Sequence, residues 1–207
     1  MRVIWLIPME IEATITTCYY NSYLRDLHNS LKHMIVTDRD AHELTQEHGL
    51  FEWCRMCHDA KLSERTMYFV GNGASATMAS HMAADFSKNC GCRAMAFNDI
   101  ALMTAVSNDI HYDDCFALPL ARFATYGDIL ITLSSSGNSP NVIKAIDCAR
   151  CMKMRVVTVS GMNPDNRSRN MGDLNFWVPA VTYGLVEASH QALLHCWLDT
   201  FLKMYEE

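Results

Sequence analysis

The 207-residue chain lacks long apolar runs and basic runs, and these absences exclude several classes of protein. No stretch approaches the roughly 18 consecutive apolar residues that a membrane span needs. The start, residues 1–8, has one basic residue and an apolar run too short for a signal peptide. A formal net charge of -6 without a basic run argues against non-specific nucleic-acid binding and against a polybasic membrane anchor.

The nine cysteines do not form a repeated pattern of pairs. Cys54 and Cys57 form a solitary C-x-x-C, and Cys90 and Cys92 are too close together for the usual zinc-finger spacing. A metal or disulfide framework is one interpretation. The odd number and the scattered positions favour the other, mostly reduced thiols in a cytoplasmic protein.

Length and composition predict a single globular domain with one sizeable core. Residues 9–62 show apolar residues at helical spacing and no strand-like alternation, so we expect two helices there, the second capped by Asp38 or Asp40. We therefore expect an N-terminal helical arm over about residues 1–62 and an α/β core over about 63–207. The arm packs either on the core or on another subunit.

The core alternates short apolar runs with helical patterns, which predicts a parallel, doubly wound α/β sheet. The predicted strands are 67–70, 94–97, 128–134, 155–160 and 174–178, and the last helix runs from Val181 to the end. The first strand leads into Gly71-Asn72-Gly73-Ala74-Ser75. The match to G-x-G-x-x-G is incomplete at Ala76, and no acidic residue follows the next strand, which argues against a dinucleotide site.

The segment Ser134–Ser139 is a polar loop between an apolar strand and an amphipathic helix. Its hydroxyls, its backbone N–H groups and the positive end of the helix favour an anion, with phosphate the usual candidate. The loop has no Lys and no nucleotide P-loop pattern, which points to a small phosphorylated metabolite. The alternative is a serine-rich turn that only caps the helix. Both polar loops fall at the carboxyl edge of the predicted sheet, which favours the phosphate interpretation.

Five ionisable residues on two predicted helices could hold a metal ion. His81 and Asp85 are spaced i, i+4, about 6 Å apart on one helix face. Glu187, His190 and His195 lie in the apolar C-terminal helix, where any one of them could be a core or interface residue. Two histidines and two carboxylates from these helices make an acceptable set for zinc or a similar divalent ion. Because Glu187 and His195 are separated by about 12 Å of helix rise, sharing one ion needs long reach, a bent helix or two subunits, and His190 is the fallback ligand.

These motifs, taken in order from about residue 10 to the end, resemble the phosphoheptose isomerase family of the sugar isomerase (SIS) domain. The resemblance rests on Gly71–Ser75, His81 with Asp85, Asn108-Asp109, Ser134–Ser139 and the helix from Glu187 to His195. It implies a three-layer α-β-α sandwich with a five-stranded parallel sheet, and a homotetramer with active sites at subunit contacts. It also implies conversion of sedoheptulose 7-phosphate to a heptose 7-phosphate, commonly with zinc, in lipopolysaccharide or related heptose synthesis.

The resemblance also implies roles for individual residues. By position, His81 corresponds to a metal-binding histidine, Asp85 to a catalytic and metal-binding glutamate, and His195 to the catalytic histidine, which together with Glu187 make up the implied metal set. Asp85 would act as base and His195 as acid in proton transfer between C1 and C2 through an enediol. The implied substrate contacts are Asn72, Gly73, Ala74, Ser75, Asn108, Asp109, Ser134, Ser135, Ser136, Ser139 and Glu187.

Three positions depart from the family pattern and leave the identity of the sugar open. Asp85 is one methylene shorter than the family's glutamate, and Glu187 replaces a glutamine and adds a negative charge. The family places an arginine where this chain has Asn89, with Lys88 beside it.

Two non-catalytic interpretations compete with the enzyme. Some SIS relatives are tetrameric scaffolds, including one that binds the replication initiator DnaA, and these lack both an acid at position 85 and a histidine at position 195. A sensor of sugar phosphates would keep the Ser134–Ser139 loop and would not need His81 or His195. Because this chain keeps Asp85 and His195, and has no helix-turn-helix segment, the sequence favours the enzyme.

Overall fold

The structure, a computed structural model, describes the backbone of residues 9–206 and the side chains of residues 19–206. The segment 1–8, whose sequence argues against a signal peptide, lies outside the described residues. The helices are α1 (Met9–Lys32), α2 (Gln46–Leu62), α3 (Ala74–Cys90), α4 (Ile100–Asp109), α5 (Ala117–Phe123), α6 (Pro140–Cys151) and α7 (Tyr183–Tyr205). The strands are β1 (Ile35–Asp38), β2 (Glu43–Leu44), β3 (Thr66–Gly71), β4 (Arg93–Ala96), β5 (Ile129–Ser134), β6 (Arg155–Gly161) and β7 (Leu174–Val178).

The strands form one mixed sheet in the order β2-β1-β7-β6-β5-β3-β4. The five strands β7, β6, β5, β3 and β4 are parallel to one another, which confirms the predicted parallel sheet. At its edge, β1 and β2 add two short antiparallel strands that the sequence did not predict. Gly71 pairs with Leu133, and Ser134 pairs with Ser160. The loops after β3, β5 and β6 therefore all leave the sheet at the carboxyl ends of the parallel strands.

Helices cover both faces of the sheet and bury a core on each side. On one face the ring of Trp53 stacks on Trp197 with centroids 3.9 Å apart, and Trp197 contacts Phe86 at 4.2 Å. This core joins α2, α3 and α7. On the other face Phe116, Leu120 and the apolar side of α6 pack against the sheet. α3 and α7 are therefore fixed side by side on the same face.

The prediction that Asp38 or Asp40 caps the second helix is wrong. Asp38 ends β1, and its Oδ1 accepts hydrogen bonds from the backbone N–H groups of Asp40 and His42, each at 2.9 Å, in the turn toward β2. The cap of α2 is Thr45, whose hydroxyl accepts from the His48 N–H at 3.2 Å. Helix α2 therefore begins several residues later than predicted, because the intervening residues pair with the sheet.

The cysteines whose side chains are described, all except Cys18, are free thiols. Burial raises the pKa of Cys54 to about 12, so this thiol stays protonated at neutral pH. Among the described residues, none of the helices is both long enough and apolar enough to cross a membrane.

Candidate functional site

The serine loop, residues 134–139, turns sharply between β5 and α6. Gly137 has φ +63°, and a Cβ at that position would overlap the side-chain amide of Asn166. The Gly137 N–H donates to both the backbone carbonyl and the hydroxyl of Ser134, at 3.0 and 3.2 Å. The turn therefore requires glycine both for its left-handed backbone and for its close packing.

The short 3-10 turn Arg167–Asn170 fastens the serine loop from behind. The Arg167 N–H donates to the Asn138 side-chain carbonyl at 3.0 Å, and the Ser168 N–H donates to the Gly137 carbonyl at 2.9 Å. These bonds hold the rear of the loop to the protein. The serine side chains on the other side are left to line a cavity.

The glycine loop, residues 71–73, leaves the neighbouring strand and packs against β5. A Cβ at Gly71 would lie 2.8 Å from the Leu133 carbonyl oxygen, so the two strand ends approach closely only with glycine there. Gly73, with φ +57°, is the N-cap of α3 and has no side chain that could cap the helix. Ser139 is the N-cap of α6, and its side chain makes no cap hydrogen bond with the described residues. Two helix N-termini thus begin beside these loops, where their positive ends favour an anion.

A cavity of about 170 Å³ lies between the two loops and the start of α7. Five of its lining side chains are serine hydroxyls, and one is the carboxylate of Glu187. The lining residues are Asn72, Ser75, Leu133, Ser134, Ser135, Ser136, Ser139, Tyr183 and Glu187. The structure thus brings six predicted substrate contacts and Glu187 to one polar cavity, which we call the serine cavity. Gly73 and Ala74 are exposed beside it at the start of α3.

A second group, the His/Asp cluster, consists of His81, Asp85 and His195. The His81 Nε2 lies 3.3 Å from the Asp85 Oδ2, and the centroids of the two imidazole rings are 5.3 Å apart. One ligand atom from each of the three residues lies within 4.8 Å of the others. Two histidines and one carboxylate around one point fit a catalytic zinc site, which keeps a further position open for substrate or water.

The structure does not bring Glu187 into the His/Asp cluster. Glu187 lines the serine cavity, two helical turns before His195 on α7. Their spacing of eight residues corresponds to about 12 Å of rise, and α7 is continuous between them. The difficulty expected from the sequence is therefore present in the fold, and among the described residues of one chain the cluster has three candidate ligands.

His190, the fallback ligand, is buried in the core and the prediction for it is wrong. It is five residues before His195, or roughly 140° around the helix, so it points toward the sheet. Its Nε2 lies 3.1 Å from the Ser160 carbonyl oxygen, which identifies Nε2–H as the donor. Burial lowers the pKa of His190 to about 4, so the ring is neutral at pH 7.

Asn108 and Asp109 lie at the end of α4 and outside the serine cavity of the same chain. The Asn108 amide donates to the Asp109 carboxylate at 2.8 Å, and both residues are exposed. Asn108 lines a separate apolar surface groove with Ile100, Met103 and Tyr112. One chain alone does not bring these two predicted contacts to the other site residues.

Two residues that the sequence did not single out, Tyr112 and Asn141, tie the two loops together. The side-chain amides of Asn72 and Asn141 exchange two hydrogen bonds of 2.9 and 2.8 Å. The Tyr112 hydroxyl donates to the Asn72 carbonyl oxygen at 2.9 Å, and burial raises the pKa of Tyr112, so the phenol stays protonated. No pattern in the sequence indicates this pairing, because the two asparagines are 69 residues apart.

Comparison with known proteins identifies the family. A family model of the SIS domain matches residues 23–161. The phosphoheptose isomerase of Shewanella loihica is 30% identical over 184 residues, covering 85% of this chain and 93% of that protein. The phosphoheptose isomerase of Campylobacter concisus is 33% identical over 178 residues, covering 80% of this chain and 93% of that protein.

The solved structure of a phosphoheptose isomerase from Neisseria gonorrhoeae has the same fold. Its TM-score is 0.77 at 22% identity, over 91% of this chain and 98% of that chain. The SIS-domain match spans more than half of the chain, and the two relatives align over nearly their full length. The chain therefore belongs to the phosphoheptose isomerases, a family of SIS-domain enzymes that isomerise sugar phosphates.

Proposed function

We propose that the protein is an aldose–ketose isomerase that converts sedoheptulose 7-phosphate to D-glycero-D-manno-heptose 7-phosphate by proton transfer through an enediol. The observation that carries the proposal is the arrangement of two groups along the same pair of helices. α3 carries Ser75 at the serine cavity and His81 and Asp85 farther along, and α7 carries Glu187 at the cavity and His195 farther along. Both helices therefore run from the cavity to the His/Asp cluster.

The spacing along these helices suits a long sugar phosphate. From Ser75 to His81 the helix rises about 9 Å, and from Glu187 to His195 about 12 Å. Six C–C bonds of about 1.5 Å in a zigzag cover roughly 7–8 Å, and a terminal phosphate adds to that length. A seven-carbon ketose phosphate can then hold its phosphate at the serine hydroxyls while C1 and C2 lie at the cluster, whereas a triose phosphate is too short.

Asp85 and His195 supply the acid–base pair that the reaction needs. In the ketose-to-aldose direction the Asp85 carboxylate takes a proton from C1, and His195 donates a proton to the C2 carbonyl oxygen. The enediol then collapses as C2 is protonated and the C1 hydroxyl loses its proton. Because atoms of the two groups lie within 4.8 Å of each other, both reach adjacent carbons of one substrate. Binding of the distant phosphate positions those carbons.

His81, Asp85 and His195 would hold a divalent ion, with zinc the expected one. When bound, such an ion polarises the substrate carbonyl and stabilises negative charge on the enediolate oxygens. Glu187, at the cavity wall, accepts hydrogen bonds from sugar hydroxyls, since an ionised carboxylate has no proton to donate. We extend the proposal to a cytoplasmic homotetramer in heptose synthesis, including that of lipopolysaccharide, with Asn108 and Asp109 reaching the site of a neighbouring subunit.

The test is an NMR time course with sedoheptulose 7-phosphate in deuterated water, together with metal analysis of the purified protein. We expect deuterium to enter next to the carbonyl and the exchange to be lost in His195→Ala. His48→Ala, which removes an exposed histidine on α2, is the matched control and should retain exchange.

The outcomes separate the competing functions. Bound metal without turnover would reject this sugar and keep an isomerase of another ketose phosphate. Tight binding of the sugar phosphate with neither metal nor exchange would favour a sensor, and absence of binding would favour a scaffold protein.

A further inference from the structure

A cavity of about 570 Å³ lies at the edge of the sheet opposite the serine cavity. It is formed where β6 begins at Arg155, where β7 is preceded by Asp173 and where α6 has ended before Lys153. The serine cavity lies at the carboxyl ends of the parallel strands, whereas this second cavity lies at their amino ends. The two cavities are therefore separated by the length of the strands. We call it the basic groove.

The basic groove concentrates positive charge in an acidic protein. Five of the chain's 17 basic residues line it, against two of its 23 acidic residues, although the formal net charge of the protein is -6. Its charged lining residues are Arg39, Arg55, Arg150, Lys153, Arg155, Glu52 and Asp173. These basic residues come from three separate parts of the chain, residues 39, 55 and 150–155, and the fold brings the three parts together.

Three of the five basic side chains are already paired with carboxylates. Arg55 contacts Glu52 at 2.6 Å, Arg39 lies 3.6 Å from Asp173, and Arg155 lies 3.7 Å from Asp59. Arg39 and Arg155 make longer contacts than Arg55, at 3.6 and 3.7 Å, and a guanidinium group carries five N–H donors, more than one such contact uses.

The other two, Arg150 and Lys153, have no carboxylate within 4.0 Å among the residues that the structure describes. Arg150 lies in the last turn of α6, where a basic side chain interacts favourably with the helix dipole. This interaction does not explain the presence of Lys153, which follows the helix with φ +58°, a left-handed conformation that glycine adopts at lower cost. Both side chains are exposed and line the groove.

We propose that the basic groove binds a small anion that carries two or more phosphate groups. Guanidinium groups match phosphate oxygens with two parallel hydrogen bonds, and Arg150 and Lys153 supply positive charge that no carboxylate of the described chain neutralises. The groove has more than three times the volume of the serine cavity, enough for more than one phosphate. The exposed ring of Tyr126 on its wall offers a face to a nucleoside, should the phosphates belong to one.

The test is calorimetric titration of the full-length protein with inorganic pyrophosphate at low salt. We expect binding that weakens with ionic strength, and a Kd raised about tenfold or more in Arg150→Gln/Lys153→Gln. Two comparison proteins isolate the cause. Arg122→Gln/Lys203→Gln removes the same charge at exposed positions outside the groove and should bind as the wild type. Ser136→Ala/Ser139→Ala removes hydroxyls of the serine cavity, so any pyrophosphate bound there is lost in this variant, and the salt-dependent binding that remains belongs to the basic groove.

Three results would overturn the proposal: absence of binding by the wild type, a loss confined to the serine variant, or an equal loss in both charge variants. Unchanged thermal unfolding of the groove variant shows that its fold is intact. ADP then distinguishes the source of the phosphates. Tighter binding of ADP than pyrophosphate, lost in Tyr126→Ala, assigns a nucleotide, whereas equal binding of the two assigns the inorganic anion.

Discussion

Gly137 and Gly91 have similar left-handed backbones, with φ of +63° and +60°, but different surroundings. A Cβ at Gly137 would overlap the Asn166 side chain, whereas a Cβ at Gly91 would meet no atom of the described residues within 4 Å. We expect Gly91→Ala to lower the free energy of unfolding by about 1 kcal/mol through backbone strain alone. Gly137→Ala should cost about 3 kcal/mol or more, because Asn166 must also move. Urea unfolding of both variants measures the difference, and equal losses would contradict the predicted overlap.

His190 predicts a dependence of stability on pH. Burial lowers the pKa of His190 from 6.5 to about 4, and its Nδ1 has no hydrogen-bond partner among the described residues. Between pH 4 and 6.5 the unfolded state therefore binds more protons than the folded state. The contribution of neutral His190 to stability is full above pH 6.5 and is lost as the pH falls toward 4. The loss reaches up to about 3 kcal/mol.

Chemical unfolding between pH 4 and 7 tests this prediction. His190→Gln, which keeps an amide donor in place of Nε2–H and does not titrate, should show a flatter profile than the wild type. His48→Gln, at an exposed position, should keep the wild-type slope. A wild-type slope in His190→Gln would assign the pH dependence to other groups.

At the scale of elements, the sequence predicted those strands and helices that the local spacing of apolar residues determines. The runs ending at Val70 and Ser134 are buried throughout, and the structure makes them adjacent central strands. Strand β1 escaped prediction because it has four residues and pairs with β7, which is about 140 residues away in sequence. The Asn72–Asn141 pair escaped for the same reason, because a contact between two loops leaves no periodicity in either.

The Asn72–Asn141 bridge predicts that the two loops act as one element. Asn141 is buried, and Asn141→Leu removes both amide bonds and leaves the Asn72 amide without these partners. We expect a loss of about 2–3 kcal/mol in stability and a rise in KM of about tenfold, with a smaller change in kcat, because the serine cavity, which we propose holds the substrate phosphate, lies between these loops. Tyr112→Phe removes one bond to the same amide and should cost about 1 kcal/mol. A KM unchanged in Asn141→Leu would show that the loops position substrate independently.

At the scale of the whole molecule, the predicted site residues of one chain fall into three separate places. They are the His/Asp cluster, the serine cavity with Glu187, and the end of α4 with Asn108 and Asp109. The sequence predicted the separation of Glu187 from His195, because positions eight residues apart on a straight helix are separated by about 12 Å of rise. Nothing in the sequence indicated that Asn108 and Asp109 would lie away from the cavity, because that depends on where α4 packs.

If Asn108 and Asp109, at the end of α4, belong to the site of a neighbouring subunit, two inactive variants should restore activity when their chains are mixed. His195→Ala inactivates the cluster of its own chain, and Asp109→Ala inactivates the contribution that its chain makes to a neighbour. After unfolding and refolding together in equal amounts, half of the random pairs are mixed, and each mixed pair has one intact site of two. We therefore expect about a quarter of wild-type activity from the mixture and almost none from either variant refolded alone. Lack of recovery, with mixed oligomers demonstrated by differently tagged chains, would show that each site is made by one chain and that Asp109 reaches it by a movement of α4.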